Sequence, residues 1–512
     1  MTLEELVRTS TAVAGTSGRL DKIARLATLL AGASPNEVPV AVGFLTGWPR
    51  QGRVGVGWAT VAAARDHAPA SAPTLTLGDV DRALERLTTI KGRNSAAERA
   101  RILAELFSRA TAEEQAFLSS LFLGEVRQGA LDGVMADAVA KAAGVPADRV
   151  RRAAMMAGDL GPVARALLGK GGAAALDAYR LEIFRPVQPM LADTAATVAE
   201  ALADGTPASI EWKLDGARIQ VHRQGDRVAV YTRALNEVTA RVPEVVEAVL
   251  ALNANELILD GEVIALAPDG RPYSFQETMR RFSRRLDIDE MRTARPLTPF
   301  FFDLLHHDGE SIIDEPLSLR LERLGAIAPA PLRVPRIVTA DLAEAERFQA
   351  DTLARGHEGV MVKSLDAPYA AGRRGSAWLK VKAPRTLDLV VLAVEWGSGR
   401  RKGWLSNIHL GARDPSGGGF VMLGKTFKGM TDEMLAWQTT EFLARETSRD
   451  GHIVYVRPEL VVEIAFNEVQ HSPHYPGGVA LRFARVKGYR PDKRPEEADT
   501  IEMVRAFLPE DR

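Results

Sequence analysis

No cysteine occurs anywhere in the 512 residues. That excludes disulfides, thiolate chemistry and every zinc site built on cysteine, and it fits a reducing compartment, expected here to be the cytoplasm. Net charge is also scarce, with 65 Lys plus Arg against 66 Asp plus Glu. Affinity for a polyanion must therefore come from local clusters. Long apolar runs are missing: no stretch approaches the ~20 residues of a membrane span. The opening Met1-Thr2-Leu3-Glu4-Glu5-Leu6 has no basic segment followed by an apolar one, so an untargeted, soluble chain without a membrane partner is expected. What is present is ordinary for a globular protein, 46% hydrophobic and 26% charged. The length corresponds to about three domains.

The first third is rich in alanine and helical in period. Ile102, Leu103, Leu106 and Phe107 recur in one stretch and Phe117, Leu118, Leu121 and Phe122 in the next. Ser95 with Glu98, and Thr111 with Glu114, have the spacing of capping boxes. The run Gly169-Lys170-Gly171-Gly172 interrupts this pattern and Phe184-Arg185-Pro186 opens another, which places a boundary at residue 183. From there Ile210, Trp212 and Leu214 alternate, as do Ile219 and Val221, then Val228 and Val230. Residues 257–264 read as strand, Asp260-Gly261 turn, strand. Helical pieces near 242–252 and 343–354 make the middle mixed α/β. Beyond a second boundary at 385, short strands at 389–395, 407–411, 420–423 and 460–466 predict a small barrel.

The sharpest local feature is Glu211-Trp212-Lys213-Leu214-Asp215-Gly216-Ala217-Arg218, a lysine ending one strand and an arginine starting the next. Alone it also reads as a solvated hairpin. A lysine nucleophile must act as the free amine, so its site has to disfavour the ammonium, and neighbouring cations do that. Lys380 and Lys382, two apart in Trp378-Leu379-Lys380-Val381-Lys382, share one face of a strand. That face suits a phosphate; an edge strand carrying lysines against aggregation is the plainer reading. Phosphoryl transfer also needs carboxylates for Mg²⁺, and Glu262 and Glu358 stand beside glycines between apolar runs. Pro299-Phe300-Phe301-Phe302-Asp303 offers an aromatic face for a base. Basic clusters occur at Arg280, Arg281, Arg284 and Arg285, at Arg373, Arg374 and Arg385, and at Arg400, Arg401 and Lys402. Each alone is an ordinary solvated face.

In order, these segments resemble the nucleotidyl transferase motifs of ATP-dependent DNA ligases. The resemblance covers Lys213 to Arg218 (motif I), Arg233, Leu259-Asp260-Gly261-Glu262 (motif III) and Phe301-Phe302-Asp303 (motif IIIa). It continues through Glu358-Gly359-Val360-Met361-Val362-Lys363 (motif IV), Trp378 to Lys382 (motif V) and Leu481-Arg482-Phe483-Ala484-Arg485 with Arg490, Asp492 and Lys493 (motif VI). Val187 to Ala192 is similar to the segment that opens the family's catalytic module. Phe44-Leu45-Thr46-Gly47, Gly55-Val56-Gly57 and Leu123 to Gly129 resemble its helical DNA-binding domain. In motif VI, Ala484 replaces a usual proline, Gly488 a frequent arginine and Pro491 a usual acidic residue, so the role of Arg490 stays open.

The resemblance implies three domains, as in archaeal and eukaryotic replicative ligases: an all-α DNA-binding domain over 1–183, an α+β adenylation domain over 184–385 and an OB-fold β-barrel over 386–512. It implies that Lys213 is adenylated by ATP, that AMP passes to the 5′ phosphate of a nick, and that the 3′ hydroxyl displaces it. Glu211 would then read the adenine edge, and Phe302 would stack on the base with Met361 or Val362 opposite. Arg218 and Arg233 would hold AMP or the nick phosphate. Glu262 would bind ribose or metal, and Glu358 would support Mg²⁺, for which Mn²⁺ can substitute. Lys380 and Lys382 would neutralise the α-phosphate; Arg482, Arg485 and Lys493 would orient pyrophosphate. The implied partner is nicked duplex DNA, wrapped by a monomer in a basic inner surface that includes Arg127, Arg280, Arg284 and Arg373.

RNA ligases and capping guanylyltransferases share the lysine motif but not normally the helical module, and NAD-dependent ligases typically carry a four-cysteine zinc module. A binding scaffold with a dead site would lack Lys213 or the motif V lysines, and both are present. Gln115 to Phe122 resembles a sliding-clamp peptide, yet its apolar spacing is that of a core-facing helix. His471 and His474 have no further histidine or cysteine spaced to complete a metal site.

Overall fold

A computed structural model describes all residues except 53, 91, 93, 127–131, 285–286, 372–374, 383–384, 399–400 and 509–512. Arg127, Gln128, Gly129, Arg285, Arg373, Arg374 and Arg400, named above, therefore lie outside the described residues.

Ten α-helices among the described residues, from Leu3–Ala14 to Leu160–Leu168, form the N-terminal region. Their apolar stripes close on one core containing Leu26, Phe44, Leu103, Phe107, Leu118 and Val163. Thr111 caps Ala112–Leu123 as its spacing predicts: its N–H donates to Glu114 Oε2 at 2.8 Å, and the Glu114 N–H donates to Thr111 Oγ1 at 3.4 Å. The box expected at Ser95 does not form. Helix Ser95–Ser108 has Asn94 as its N-cap, which moves Ser95 inside the first turn and leaves Glu98 to pair with Arg101. The clamp-like segment belongs to the core, with Phe117, Leu118 and Leu121 buried.

Strands β1 (Ala192–Ala195), β2 (Ala208–Lys213), β3 (Ala217–Gln224), β4 (Arg227–Thr232), β5 (Glu256–Ala265), β6 (Leu297–His307), β7 (Glu310–Ser311), β8 (Arg336–Thr339), β9 (Gly359–Ser364) and β10 (Gly375–Lys382) follow. They form two five-stranded sheets, β1-β10-β9-β2-β8 and β4-β3-β5-β6-β7. In the first sheet Ile210, Val360, Val362 and Val381 point into one core. Alternation then sends Glu211, Lys213, Met361, Lys363, Lys380 and Lys382 to the opposite face. Val362 is thereby removed as a partner for a base, and Met361 stays.

The expected turn at Asp260-Gly261 is absent, because β5 runs unbroken through both residues. The glycine answers a different need. A Cβ at 261 would lie 2.8 Å from both the Phe300 carbonyl oxygen and Phe301 Cδ1, so the residue permits close strand packing beside a bulge.

The C-terminal region is β-rich. Strands β11 (Arg385–Trp396), β12 (Leu405–Arg413), β13 (Phe420–Thr426), β14 (Glu446–Asp450), β15 (Ile453–Val456) and β16 (Val461–Phe466) join a seven-stranded sheet completed by the last strand, while β17 (Glu468–His471) and β18 (Val479–Arg482) pair separately. That last strand is β19 (Arg485–Tyr489). The first half of β11 pairs with β16 and its second half with β15, so one strand turns the corner of the barrel. Leu389, Val391, Ile408, Leu410, Phe442 and Ile464 fill its core.

The helical region docks on the two-sheet region through helix Ala147–Ala157. Met155 and Met156 pack with Val187, Met190, Tyr369 and Trp378, and Arg152 pairs with Asp314. Among the described residues no helix is long and apolar enough to cross a membrane.

Candidate active site

Lys213 ends β2 and stands level with Gly359, the first residue of β9, which in turn stands level with Lys382 at the end of β10. Glycine is required at the middle position. Its φ is +144°, and a Cβ there would meet the Val381 carbonyl oxygen at 2.2 Å. The carboxylate of the preceding Glu358 therefore sits between two lysines, accepting from Lys213 Nζ on Oε2 and from Lys382 Nζ on Oε1 at 2.7 Å. Burial alone would raise the Glu358 carboxyl, but the Lys213 and Lys382 charges outweigh it and hold it below its ordinary value. Lys382 is pushed down by burial and then by the Lys213 ammonium.

Glu262 approaches from the second sheet. Gly216 packs so closely on β5 that a Cβ would fall 2.2 Å from the Val263 carbonyl oxygen, and its N–H donates to Glu262 Oε1 at 3.2 Å. Burial pushes the Glu262 carboxyl up to about 7, against the pull of Lys213 and Arg218. Arg218 is held by Asp260, with Nε to Oδ1 at 3.1 Å and Nη2 to Oδ2 at 2.6 Å, while Nη1 donates to the Met190 carbonyl at 2.6 Å.

Further along the same face, Glu211 is buried, accepting from Ser209 Oγ at 3.0 Å and pairing with Lys363 Nζ at 2.5 Å. The Lys363 ammonium lies 4.3 Å from the ring centres of both Phe302 and Trp378. A carboxylate, an ammonium, two aromatic rings and Met361 thus line one end of the face, and the shared Glu358 the other. Such a row has an acceptor and a stacking wall for a base, and cations for the phosphates attached to it.

Matching sequences bear on the same residues. Residues 189–382 match the profile of the ATP dependent DNA ligase domain, 401–493 that of the ATP dependent DNA ligase C terminal region and 57–140 that of the DNA ligase N terminus. A probable DNA ligase of Anaeromyxobacter sp. (strain Fw109-5) is 60% identical over 509 residues, covering 99% of this chain and 98% of the relative. One from Mycobacterium sp. (strain KMS) is 57% identical over 523 residues, covering 99% of each. The chain belongs to the ATP-dependent DNA ligase family. Its members seal nicks through a covalent lysyl-AMP intermediate. The fold agrees over nearly the whole length with the solved structure Pmar-Lig_PreS3, at a TM-score of 0.62 and 17% identity, covering 96% of this chain and 99% of that one.

The ligase C-terminal region closes on the catalytic face across a cleft of 760 Å³ lined by Asp215, Glu358 and Lys382 on one side and Glu468 and Gln470 on the other. Arg482 spans it. Its Nη1 donates to Asp215 Oδ2 at 2.8 Å and to Glu468 Oε2 at 3.3 Å, and its guanidinium lies 3.6 Å from the Phe275 ring centre. Burial raises Asp215, helped by the Glu358 charge, and burial raises Glu468, helped by Asp215. The other motif VI groups are elsewhere. Lys493 pairs with Asp388 at 2.5 Å, Arg490 divides itself between Asp388 and Asp492, and Arg485 is exposed. Arg233 is exposed in the turn after β4.

Sequence reasoning for this ligase passed over Asp215, Asp260, Lys363, Tyr369 and Glu468. Lys363 and Asp260 lie inside quoted motifs, at alternating positions that already place them on the site face. Glu468 gives no such signal, since only the β17–β18 pairing brings it level with Arg482. Among the described residues no group of three or more His, Asp and Glu could hold a metal.

Proposed function

We propose that Lys213 is the nucleophile that takes AMP from ATP, and that the chain seals nicked duplex DNA as a monomer wrapped around it, acting in the cytoplasm and, in a bacterium, at the nucleoid. The observation that carries this reading is the Lys213–Glu358–Lys382 group on one face with Glu211 and Phe302. One proton must leave the Lys213 ammonium before the amine attacks, and Glu358 Oε2 is hydrogen-bonded to it. The new Nζ–P bond replaces the bond to pyrophosphate, which departs with its charge. Lys380 and Lys382 offset the charge gathering on the α-phosphate. Glu211 accepts from the adenine edge, Phe302 stacks on the base with Met361 opposite, and Arg218 and Arg233 hold AMP or the nick phosphate.

Arg482 faces the site and would orient pyrophosphate. Arg485 and Lys493 reach it only if the C-terminal region shifts, as a three-step reaction on two substrates requires. The limits 1–183, 184–385 and 386–512 describe the three moving parts. Mg²⁺, with Mn²⁺ as a substitute, would be shared with the triphosphate: Glu358 would support it, and Glu262 would bind it or the ribose. It would lower the negative charge that the nucleophile meets. Incubation with ATP labelled at the α-phosphate should label the protein, and Lys213→Ala should abolish the label. An adduct that persists in Lys213→Ala rules the assignment out.

A further inference from the structure

Tyr369 lies between motifs IV and V and has no part in the reaction as described above. It is 1% exposed, and its hydroxyl joins three stretches of chain. It donates to Asp260 Oδ2 at 2.7 Å and accepts from the Met190 N–H at 3.0 Å and from Arg218 Nη2 at 3.3 Å. Burial pushes this hydroxyl well above its ordinary value, so it stays a donor. The ring is held edge-on by Trp378 at 5.9 Å. The following backbone is tied down as well, with the Ala370 N–H on Met190 Sδ at 3.5 Å and the Ala371 N–H on Met155 Sδ at 3.1 Å.

We propose that Tyr369 is a positioning residue for Arg218, acting directly on its Nη2 and through Asp260 and Met190. The four groups form a closed loop: Arg218 donates to Asp260 and to the Met190 carbonyl, and Tyr369 takes the Met190 N–H and donates to Asp260. Asp260 Oδ2 receives both Arg218 Nη2 and the phenol, so the direction of the guanidinium fork is fixed from behind. Its front lies against the base pocket, 5.5 Å from the Phe302 ring centre and 5.6 Å from that of Trp378. Without the hydroxyl, Asp260 loses one of its donors, the Met190 N–H loses its acceptor in a dry setting, and the fork is free to tilt toward the rings. Displacement of a phosphate-holding arginine by about an ångström costs rate rather than nucleotide affinity.

The inference rests on the reading of Arg218 as a holder of AMP or the nick phosphate. Its test uses the full chain with ATP, Mg²⁺ and nicked duplex, in single-turnover adenylation and in sealing of a pre-adenylated nick. Tyr369→Phe keeps the ring and should slow at least one of these steps by roughly ten- to hundredfold, the size of one charge-assisted hydrogen bond. KM for ATP should stay within about twofold, because adenine is held elsewhere. A purely structural role would lower the melting temperature and the active fraction without changing the rate per folded molecule.

Arg218→Lys supplies the control. Tyr369→Phe added to Arg218→Lys should cost nothing further, since the fork it orients is gone. If the two losses multiply, or if Tyr369→Phe runs at the native rate, the inference is overturned. If Arg218→Lys itself runs at the native rate, the reading of Arg218 fails instead. Should Tyr369→Phe not fold, Asp260→Asn breaks the same loop and is held to the same outcomes.

Discussion

Lys213 and Lys382 share one carboxylate, each ammonium taking a different oxygen of Glu358. Two like charges are thereby held at the ends of the two strands that flank β9, in a place where either alone would prefer water. On the reading proposed above, an arriving triphosphate would compete with Glu358 for both lysines. Glu358→Gln should therefore slow adenylation by about a hundredfold or more, a loss typical of removing one preorganised charge, at every divalent-metal concentration. Unchanged single-turnover rates would remove Glu358 from the chemistry.

Arg482 bridges the cleft through Asp215 and Phe275, and on the proposed reading it acts while the cleft is closed. Arg482→Ala should cut formation of the protein–AMP adduct by about a hundredfold. Sealing of a nick that already carries AMP should stay near the native rate. Equal losses in both assays would tie Arg482 to DNA rather than to pyrophosphate.

Glu262 gives the ligand-free protein a pH signature. Its carboxyl is raised to about 7 by burial, so between about 4.5 and 7 the unfolded chain gives up a proton that the folded chain keeps, and stability falls as pH rises. Below that window the penalty is absent, and above it the penalty is constant. Glu262→Gln removes it, so the variant's stability advantage should grow by about 1 kcal/mol per pH unit through the window and then level off. Denaturant melts at pH 5, 6, 7 and 8 measure this, and a flat difference would contradict it.

Phe302 lies beside Lys363 and Trp378, where the proposed reading puts the base. Stacking of a base on an aromatic ring is worth roughly 1–3 kcal/mol, so Phe302→Leu should raise KM for ATP by about tenfold with less effect on the maximal adenylation rate. The reverse pattern would place the adenine elsewhere.

Most of this architecture was readable in advance where periodicity and chemistry coincide. Lys213, Met361, Lys380 and Lys382 fall on one face because strands alternate, and the motif spacing already alternates. The reading failed where one residue type serves two purposes. Asp260-Gly261 has the composition of a turn, yet the glycine is there to let Phe300 and Phe301 come close. Ser95 has the composition of a cap, yet Asn94 beside it takes the position. Contacts assembled from distant stretches left no trace in local pattern: nothing near Lys493 or Arg490 foretells that Asp388, a hundred residues earlier, pairs with both. Tyr369 is the same case, a tyrosine in a loop until Asp260 and Met190 are folded against it.

The alternation of β2 and β9 ties reactivity to correct assembly. Sliding either strand by one position would turn its apolar residues, Ile210 on β2 or Val360 and Val362 on β9, onto the face that Glu211 and Lys363 occupy and drive its charged residues into the core. A misthreaded chain therefore suffers twice, from misplaced apolar groups and from stranded ions. Selection for nick sealing and selection for a unique sheet act on the same few positions.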